Sequence, residues 1–498
     1  MNPSHKTRRQ FLTITAATAG SAFAQKGSTA DAPVSKYVSL KEAHIGTLEI
    51  DLRIMNQYED QPKETLDFYT ACREAFAAKN ADEKVAEVCK SYGREILGGP
   101  LLGDISTTGV SVWMHLPQPT KIKIVVENQN NQEKKTYLAT ESARISSVPC
   151  QGLAPDTSYQ YQVFNDSDQL LGKGQFTTPP AELSEKPFRI SFGADFHKAG
   201  MYRPHLVDFV RKRESRAMLL IGDSAVDGRQ EEYPLIESDY LLRNLSKPLQ
   251  KLFREVPTSA TWDDHDYWGD DTSGIQHTSG TPINAVKLRQ TWKDHWNNPE
   301  RNVPRKGIYF ETHIGPIHYL ALDTRSCRIH PARGKKGSFL GKEQMSWLKK
   351  RIKTSTSPFL IISSGTMWTD SISKAKDTWG TWDTKGREEI FKLIDAKKKT
   401  TVILLSGDRH GARGFKIPRP NGKPIHEFEV GTLGGCPGPD AFGTDRSAQI
   451  FGQPSKTWAV GEFTFDLANN HPRAIFRLHN EEGRLLETVT LGGVKKTD

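Results

Sequence analysis

Five short apolar segments of this sequence each stop at a carboxylate, a histidine or both. Each has the length and the β-branched content of a buried strand. Strands that are apolar on both faces belong to covered sheets, and ligands bind beyond the carboxyl ends of such strands. Since Asp and His at that position are metal ligands or acid–base groups, the pattern predicts a metallohydrolase with an α/β fold. The segments are residues 189–197, 217–223, 258–266, 317–325 and 401–410.

The sequence before these strands predicts two further regions. Apolar residues recur at helical spacing between residue 66 and residue 96, so residues 37 to about 97 are predicted to be helical, with a purpose that the sequence does not show. From Gly103 the pattern changes to short alternating segments, which are typical of a β-sandwich. Pro179-Pro180 begins a polar linker. The predicted domains are residues 25–97, disordered and then helical; 98–180, the β-sandwich; and 187–498, the catalytic domain.

The catalytic region combines helical segments with its strands. Residues 342–353 and 385–397 have helical character and lie between the apolar strands. This order favours a layered α/β/β/α sandwich over a single doubly wound sheet. The last segments, after residue 462, alternate in the manner of antiparallel strands.

The N-terminus carries the features of an export signal. Residues 7–12 read Thr-Arg-Arg-Gln-Phe-Leu, a twin-arginine pattern, and residues 22–24 read Ala-Phe-Ala, a small-x-small cleavage site. We therefore expect residues 1–24 to be removed by the twin-arginine export machinery, which leaves the protein periplasmic or secreted. Because this route moves folded proteins, it suits an enzyme that binds metal before export. No other segment has the length and apolarity of a membrane span.

Charge and cysteine content argue against a nucleic-acid-binding protein and against a zinc-cluster protein. The formal net charge of +9 is mild for 498 residues, so we expect no nucleic-acid partner beyond a possible substrate, although anionic substrates would be attracted. None of the five cysteines forms a Cys-x-x-Cys pair, which argues against a zinc cluster. In an oxidising compartment Cys72 and Cys89 could pair across neighbouring helices.

Four motifs in order resemble those of the calcineurin-like metallophosphoesterases. That superfamily carries Asp-x-His, Gly-Asp, Gly-Asn-His-Asp/Glu and Gly-His-x-His. Three strings, at residues 260–265, 322–326 and 405–410, are most similar to the PhoD-like alkaline phosphatases. The resemblance implies an α/β/β/α sandwich preceded by a fibronectin type III-like domain. The four motifs in this chain are Asp195-Phe-His197, Gly222-Asp223, Asp263-Asp264-His265-Asp266 and Gly407-Asp408-Arg-His410.

The resemblance also implies two adjacent divalent or trivalent metal ions. Asp223 would bridge them. The first ion would be held by Asp195, His197 and His410, and the second by Asp264 and Asp408. Oxygen ligands at the second site suit Mn, Mg or Ca, whereas nitrogen at the first suits Fe, Zn or Mn.

By the same resemblance, the reaction is hydrolysis of a phosphate ester, with a small-molecule, lipid or polymer leaving group. The nucleophile would be a hydroxide bridging the two metals. His265 could protonate the leaving group as general acid, although a third metal ligand is the alternative. Asp266 would orient His265 and keep it protonated. Arg325 and Arg409 are candidate phosphate ligands because guanidinium matches phosphate oxygens in a bidentate way, although a single Arg is more often structural.

The chain departs from the family pattern at several positions. Asp195-Phe-His197 stands where the PhoD-like family usually has Cys, and Ser224 stands where it usually has Tyr. The first metal site therefore resembles the ordinary Asp-x-His type. Asp264 and Asp408 replace the superfamily's usual Asn and His, and its isolated His between those motifs has no clear counterpart.

Two other classes of function are also compatible with the sequence. Gly222-Asp-Ser224 resembles the block of Gly-Asp-Ser serine esterases, in which Ser224 would be the nucleophile. The Gly-x-Asn-Asp and late Asp-x-x-His blocks of that family are not found here. A binding protein that kept the fold and lost turnover is the third possibility. The sequence does not distinguish monoesters from diesters, and it shows neither the natural substrate nor the oligomeric state.

Overall fold

The computed structural model describes residues 37–181, 186–224, 233–275, 282–371, 377–435, 438–443, 446–468 and 471–492. The predicted signal peptide, residues 1–24, lies outside them, as do residues 25–36 and Cys436. Domain boundaries stay predictions, since Tyr37–Asp498 forms one compact unit. Within the described ranges, none of the helices combines the length and apolarity that crossing a membrane requires.

The predicted helical segment contains four helices. Ser39 and Thr47 begin the first two, because each side chain accepts a hydrogen bond from a free backbone N–H of the first turn. The third and fourth helices bring Cys72 and Cys89 together as buried free thiols, and their mutual hydrogen bond raises the pKa of Cys72. A disulfide between them stays a prediction. The helices are α1 (Leu40–Ala43), α2 (Leu48–Asn56), α3 (Lys63–Phe76) and α4 (Ala81–Ser91).

The next seven strands form two antiparallel sheets, one of three strands and one of four. The hydroxyl of Tyr159 accepts a hydrogen bond of 2.8 Å from the backbone N–H of Ala154. A Tyr near the start of a strand that bonds back in this way is the tyrosine corner of immunoglobulin-like sandwiches. The fibronectin type III-like β-sandwich is thus confirmed. Its strands are β1 (Gly98–Ser106), β2 (Gly109–Thr120), β3 (Lys123–Asn128), β4 (Lys134–Leu138), β5 (Ala143–Gln151), β6 (Ser158–Phe164) and β7 (Leu170–Thr177). The strand orders of the two sheets are β1-β2-β5 and β4-β3-β6-β7.

The catalytic region alternates strands and helices before it ends in antiparallel strands. Its elements are β8 (Phe188–Gly193), α5 (His197–Gly200), α6 (His205–Lys212), β9 (Met218–Ile221), α7 (Tyr233–Leu245), α8 (Lys247–Glu255), β10 (Thr258–Thr261), α9 (Asp264–Tyr267), α10 (Ala285–His295), β11 (Phe310–Ile314), β12 (Ile317–Ala321), α11 (Gly341–Thr354), β13 (Phe359–Ser364), α12 (Trp379–Asp395), β14 (Thr401–Ser406), β15 (Ala412–Ile417), β16 (Ile425–Val430), β17 (Gln449–Gly452), β18 (Ala459–Asp466), β19 (Arg473–Asn480) and β20 (Leu485–Gly492).

Two mixed sheets face each other in the catalytic region. Their strand orders are β10-β9-β8-β18-β19-β20 and β11-β12-β13-β14-β16-β15-β17. Strands β8, β9 and β10 are parallel, as are β12, β13, β14 and β16. The predicted α/β/β/α sandwich is confirmed, because each sheet has helices on its outer face.

Alternate residues of each strand enter different cores, as the two-residue period of a strand requires. In β9, Leu219 and Ile221 point between the sheets, whereas Met218 and Leu220 pack on the helical layer. In β13, Ile361 points between the sheets, and Leu360 and Ile362 pack against α11 and α12. This double burial explains why these strands are apolar throughout.

The β-sandwich joins the catalytic region through a polar and aromatic contact. Asn297 donates hydrogen bonds from Nδ2 to the carbonyls of Leu101, at 2.9 Å, and Ser111, at 2.8 Å. Nearby, the buried guanidinium of Arg243 lies 4.6 Å from the ring centre of Trp296 and 5.9 Å from that of Trp113. His115 of β2 is buried in this contact beside His295, whose Nε2 lies 2.9 Å from Glu237.

The stability of the protein should depend on pH through His115. Burial, reinforced by His295, lowers the pKa of His115 to about 3 from its usual value near 6.5; Glu237 opposes this shift, whereas Arg144 and Arg243 add to it. The unfolded chain therefore binds the extra proton between these two values, and stability is lost as the pH falls through this window.

Between pH 7 and pH 5, protonation of His115 in the unfolded chain should lower the free energy of unfolding of the parent by about 2 kcal/mol. We expect this part of the decrease to be absent in His115→Gln. Urea denaturation at both pH values measures this difference. His205→Gln, at an exposed histidine, is the control and should keep the parent's pH dependence. An unchanged pH dependence in His115→Gln would contradict the interpretation.

Candidate metal centre and active site

The predicted site residues follow the carboxyl ends of parallel strands from both sheets. Asp195, Asp223 and Asp264 come after β8, β9 and β10 of the first sheet, and Asp408 comes after β14 of the second. The two sheets meet at this edge: Ala194 forms a bridge with Gly431, and Thr261 Oγ1 donates a 2.7 Å hydrogen bond to the Leu322 carbonyl. The turns of both sheets therefore converge.

All six predicted metal ligands lie in groups whose ligand atoms are within 4.8 Å of one another. Asp223 belongs to two of these groups, as a bridging carboxylate would, and His197 and Asp264 each belong to two as well. His265 also belongs to two, which leaves its predicted role as acid and its alternative as ligand both compatible with the geometry. The groups are Asp195, His197, Asp223 and His410; Asp223, Asp264 and His265; Asp263, Asp264 and Asp408; and His44, His197 and His265.

The backbone is strained at these residues. Asp195, His197 and Asp223 have φ values of 54°, 49° and 48°, and Asp408 and His410 have 78° and 47°. Side chains disfavour this left-handed region, and such strain concentrates at functional sites. Five of the six predicted ligands thus adopt a conformation that only the surrounding structure can maintain.

Unsatisfied buried atoms test whether a metal fits here. Both ring nitrogens of His197 are buried without a hydrogen-bond partner among the described residues, although Nε2 lies 3.5 Å from Asp223 Oδ2, and Asp408 Oδ2 likewise has no hydrogen-bond partner there. Buried polar atoms normally have a partner, so the acceptor nitrogen of a neutral His197 ring and the Asp408 oxygen are available to a cation. Asp195 has a second task, because its oxygens accept 3.0 Å hydrogen bonds from the backbone N–H groups of Asp408 and His410. These residues fit a metal centre.

The site holds more negative charge than its own cations neutralise. Burial, together with the carboxylates of Asp264 and Asp263, raises the pKa of Asp223 well above its usual range. Burial and the same two neighbours likewise raise the pKa of Asp408, against the effect of Arg325. Burial and the neighbouring imidazoles, His410 first, lower the pKa of His197. A bound cation would favour the ionised acids and the neutral imidazole that metal ligation needs.

Arg325 lies inside the cluster rather than at its mouth. Its side chain is 0% exposed, and its guanidinium binds Asp263 through two nitrogens, with a distance of 2.7 Å from Nη2 to Oδ2. The same group lies 3.2 Å from Asp377 and 3.3 Å from Asp408. The contacts favour a role in holding the carboxylates, and the predicted phosphate contact of Arg325 stays a prediction.

Arg409 lies closer to solvent than Arg325. Its side chain is 22% exposed and its Nη1 is 3.9 Å from Asp408 Oδ2. A phosphate group beside Asp408 would be within reach of this guanidinium, and that role also stays a prediction.

The predicted acid, His265, is half-buried at the start of α9. Its backbone N–H donates to Asp264 Oδ1 at 3.0 Å and to Asp223 Oδ1 at 3.3 Å. The carboxylate of Asp266 accepts from two backbone N–H groups, those of Ser224 at 2.8 Å and Asp263 at 3.0 Å. Asp266 thus joins the turns after β9 and β10, while its predicted action on the His265 ring stays a prediction.

The structure adds two residues that sequence reasoning missed. His44, which follows α1, stacks on the ring of His265 with 4.1 Å between ring centres. It lies far upstream of the first motif, in a segment with no motif of its own. Asp263 was missed as a partner of Arg325, although its position directly before Asp264 was a signal.

The geometry does not favour Ser224 as a nucleophile. Its side chain is buried, with 1% exposure, and its Oγ donates a 3.4 Å hydrogen bond to the Thr261 carbonyl. A serine nucleophile needs a base within hydrogen-bonding distance and a path to substrate.

Comparison with known proteins identifies the family. A family model described as PhoD-like phosphatase matches residues 236–484, half of the chain. The chain belongs to the PhoD-like phosphatase family. The family resemblance predicted from the motifs is therefore confirmed. The match starts after Asp195, His197 and Asp223, and it is the fold that brings these three residues to the others.

A second family model, a domain of unknown function (DUF7800), matches residues 93–183, which contain the β-sandwich. The chain is 23% identical over 380 residues to alkaline phosphatase D of Bacillus subtilis (strain 168), a match that covers 63% of this chain and 64% of that relative. This PhoD-like protein thus spans slightly less than two thirds of the relative's length.

Solved structures with low sequence identity share the fold. A structure of PhoD matches with a TM-score of 0.62 and 19% identity, covering 80% of this chain and 93% of that one. Purple acid phosphatase PPD1 from yellow lupin (Lupinus luteus) seeds matches with a TM-score of 0.61 and 13% identity, covering 79% and 74%. Both likenesses support the layered sandwich assignment.

The strained backbone at His410 gives a prediction about stability. With φ at 47°, His410→Gly should be about 1 kcal/mol more stable than His410→Ala, because relief of left-handed strain exceeds the extra entropy that glycine loses on folding. Chemical denaturation in chelator compares the two variants without metal. At Glu343 in α11 the order should reverse, with Gly about 1 kcal/mol less stable than Ala. Equal stability of the two His410 variants would show that no strain is stored there.

Proposed function

We propose that this PhoD-like protein is an exported, metal-dependent hydrolase of phosphoric esters. The grouping of its potential ligands carries the proposal. Asp223 is shared between two sets of them, and it lies beside His197, whose two buried ring nitrogens have no hydrogen-bond partner in the described part of the chain. Family membership supports the same reaction class. The proposal covers monoesters and diesters alike.

Each residue has a distinct part in the proposed site. Asp195, His197 and His410 would hold a first metal ion, Asp264 and Asp408 would hold a second, and Asp223 would be a ligand of both. When bound, the two ions would offset the charge of the phosphate and make a water acidic enough to attack phosphorus. The oxygen-rich second set suits Mn, Mg or Ca, and the first set suits Fe, Zn or Mn.

The protein's own groups then handle the leaving group and the phosphate. His265 donates a proton to the departing alkoxide oxygen, which lowers the barrier most for alcohols of high pKa. Arg409 contacts the phosphate at the mouth of the site. The buried guanidinium of Arg325 keeps the carboxylates of Asp263 and Asp408 in place, so that the ligand set is formed before substrate binds.

Variants of two residues separate metal binding from proton transfer. His265→Ala should keep its metal and lose roughly 10²–10⁴-fold in turnover, with a smaller loss for esters of acidic alcohols. Asp223→Ala should lose both metal and activity with every ester. Metal analysis together with turnover of a nitrophenyl and an alkyl phosphate ester measures both effects.

Ser224→Ala is the matched control for this series and should stay near the parent in activity. Loss of metal in His265→Ala would make His265 a ligand. An inactive Ser224→Ala with its metals intact would point to the serine mechanism instead.

Export is proposed from the twin-arginine signal, with a periplasmic or secreted destination. Replacing Arg8 and Arg9 with Lys should leave uncleaved precursor in the cytoplasm, because the arginine pair is the recognised address. Immunoblotting of cell fractions measures the precursor. Lys6→Gln keeps the pair and should be processed as the parent is. Normal cleavage of the double-Lys variant would refute this route.

A further inference from the structure

The N-terminal helical segment, residues 37–97, is tied directly to the element that carries His197. Lys198 follows His197 in α5, is buried, and lies 2.7 Å from Asp51 of α2. Its ammonium also binds Asp239 of α7 at 2.5 Å. Gln57 Nε2 donates a 2.7 Å hydrogen bond to the carbonyl of Ala199. The segment and α7 therefore both hold α5 through the Lys198 ammonium, and the segment adds the hydrogen bond from Gln57.

The same segment places an imidazole at the mouth of the site. His44 follows α1, and its ring lies over the ring of His265 at 4.1 Å between centres, with 27° between the planes. His197 is further away, at 5.5 Å. The backbone N–H of His265 is already held by Asp264 and Asp223, and the stacked ring restricts the remaining rotation of its side chain.

The stacked arrangement favours positioning over a shared metal ion. The overlap of the His44 and His265 rings, with 27° between their planes, is that of a stacked pair, although the ligand atoms of His44, His197 and His265 also lie within 4.8 Å of one another. The first ligand group already offers four residues without His44. We infer that His44 is a positioning residue for His265 and that the N-terminal helical segment is part of the active site. This inference rests on the proposed function, since it takes His265 as the proton donor.

Two substitutions at His44 separate stacking from ligation. His44→Phe keeps a flat ring against His265 and removes the nitrogens, whereas His44→Ala removes both. We expect His44→Ala to keep its metal and lose roughly 10–100-fold in kcat for an alkyl phosphate ester, with a smaller loss for a nitrophenyl ester. His44→Phe should recover most of that loss. Glu49→Ala, at an exposed residue of α2, is the control for the segment.

The double variant His44→Ala with His265→Ala completes the experiment. If His44 acts through His265, the second substitution should add little to His265→Ala alone. An additive loss would overturn the inference, as would parent-like kinetics of His44→Ala. Loss of metal in both His44 variants would make His44 a ligand instead.

The same measurements distinguish this inference from the proposed function. If His265→Ala shows no dependence on the leaving group, or loses its metal, the proton-donor role fails and the positioning role of His44 fails with it. If His265→Ala behaves as proposed while His44→Ala affects both esters equally, only the positioning role is wrong. A crystal structure of His44→Phe with the His265 ring unmoved would agree with the inference.

Discussion

The buried ion pair between Arg325 and Asp263 connects the two halves of the catalytic region. Asp263 follows β10 of one sheet and Arg325 follows β12 of the other, and the same guanidinium reaches Asp408 after β14. Carboxylates at this depth are costly to bury without a counter-charge, and removal of one partner from such a pair costs about 3–5 kcal/mol. The guanidinium thus lets acids from both sheets gather at one edge, which is what a metal centre needs.

Hydrogen bonds to Asp195 help to maintain the strained backbone at the centre of the site. Residues Asp195, Asp408 and His410 all have positive φ, and the first accepts hydrogen bonds from the N–H groups of the other two. Each left-handed residue costs of order 1 kcal/mol, a cost the surrounding cores must offset. The strained conformation preorganises the site, because ligands held in one conformation before a metal binds lose little entropy on binding it.

The sequence predicted the parts of the site that follow from strand patterns. Apolar runs that end in Asp or His marked the carboxyl ends of β8, β9, β10, β12 and β14, and the two-sided apolarity predicted the layered fold. His44 was not predictable, because its contact with His265 joins segments far apart in sequence and α1 has only four residues. The burial of Arg325 was not predictable for a similar reason. In a sequence, an arginine that binds phosphate looks the same as one that binds carboxylates, and only the fold places Asp263 and Asp377 around this one.

The contact between Asp195 and the turn at Asp408 spans 213 residues of chain, and His44 approaches from still earlier in the sequence. Contacts between such distant segments form slowly, because a long loop must close before any interaction compensates for the lost entropy. During synthesis, the first ligands emerge well before the turn that carries Asp408 and His410. The complete set of predicted ligands therefore exists only once both sheets have assembled, so a metal ion that needs all of them would bind late in folding.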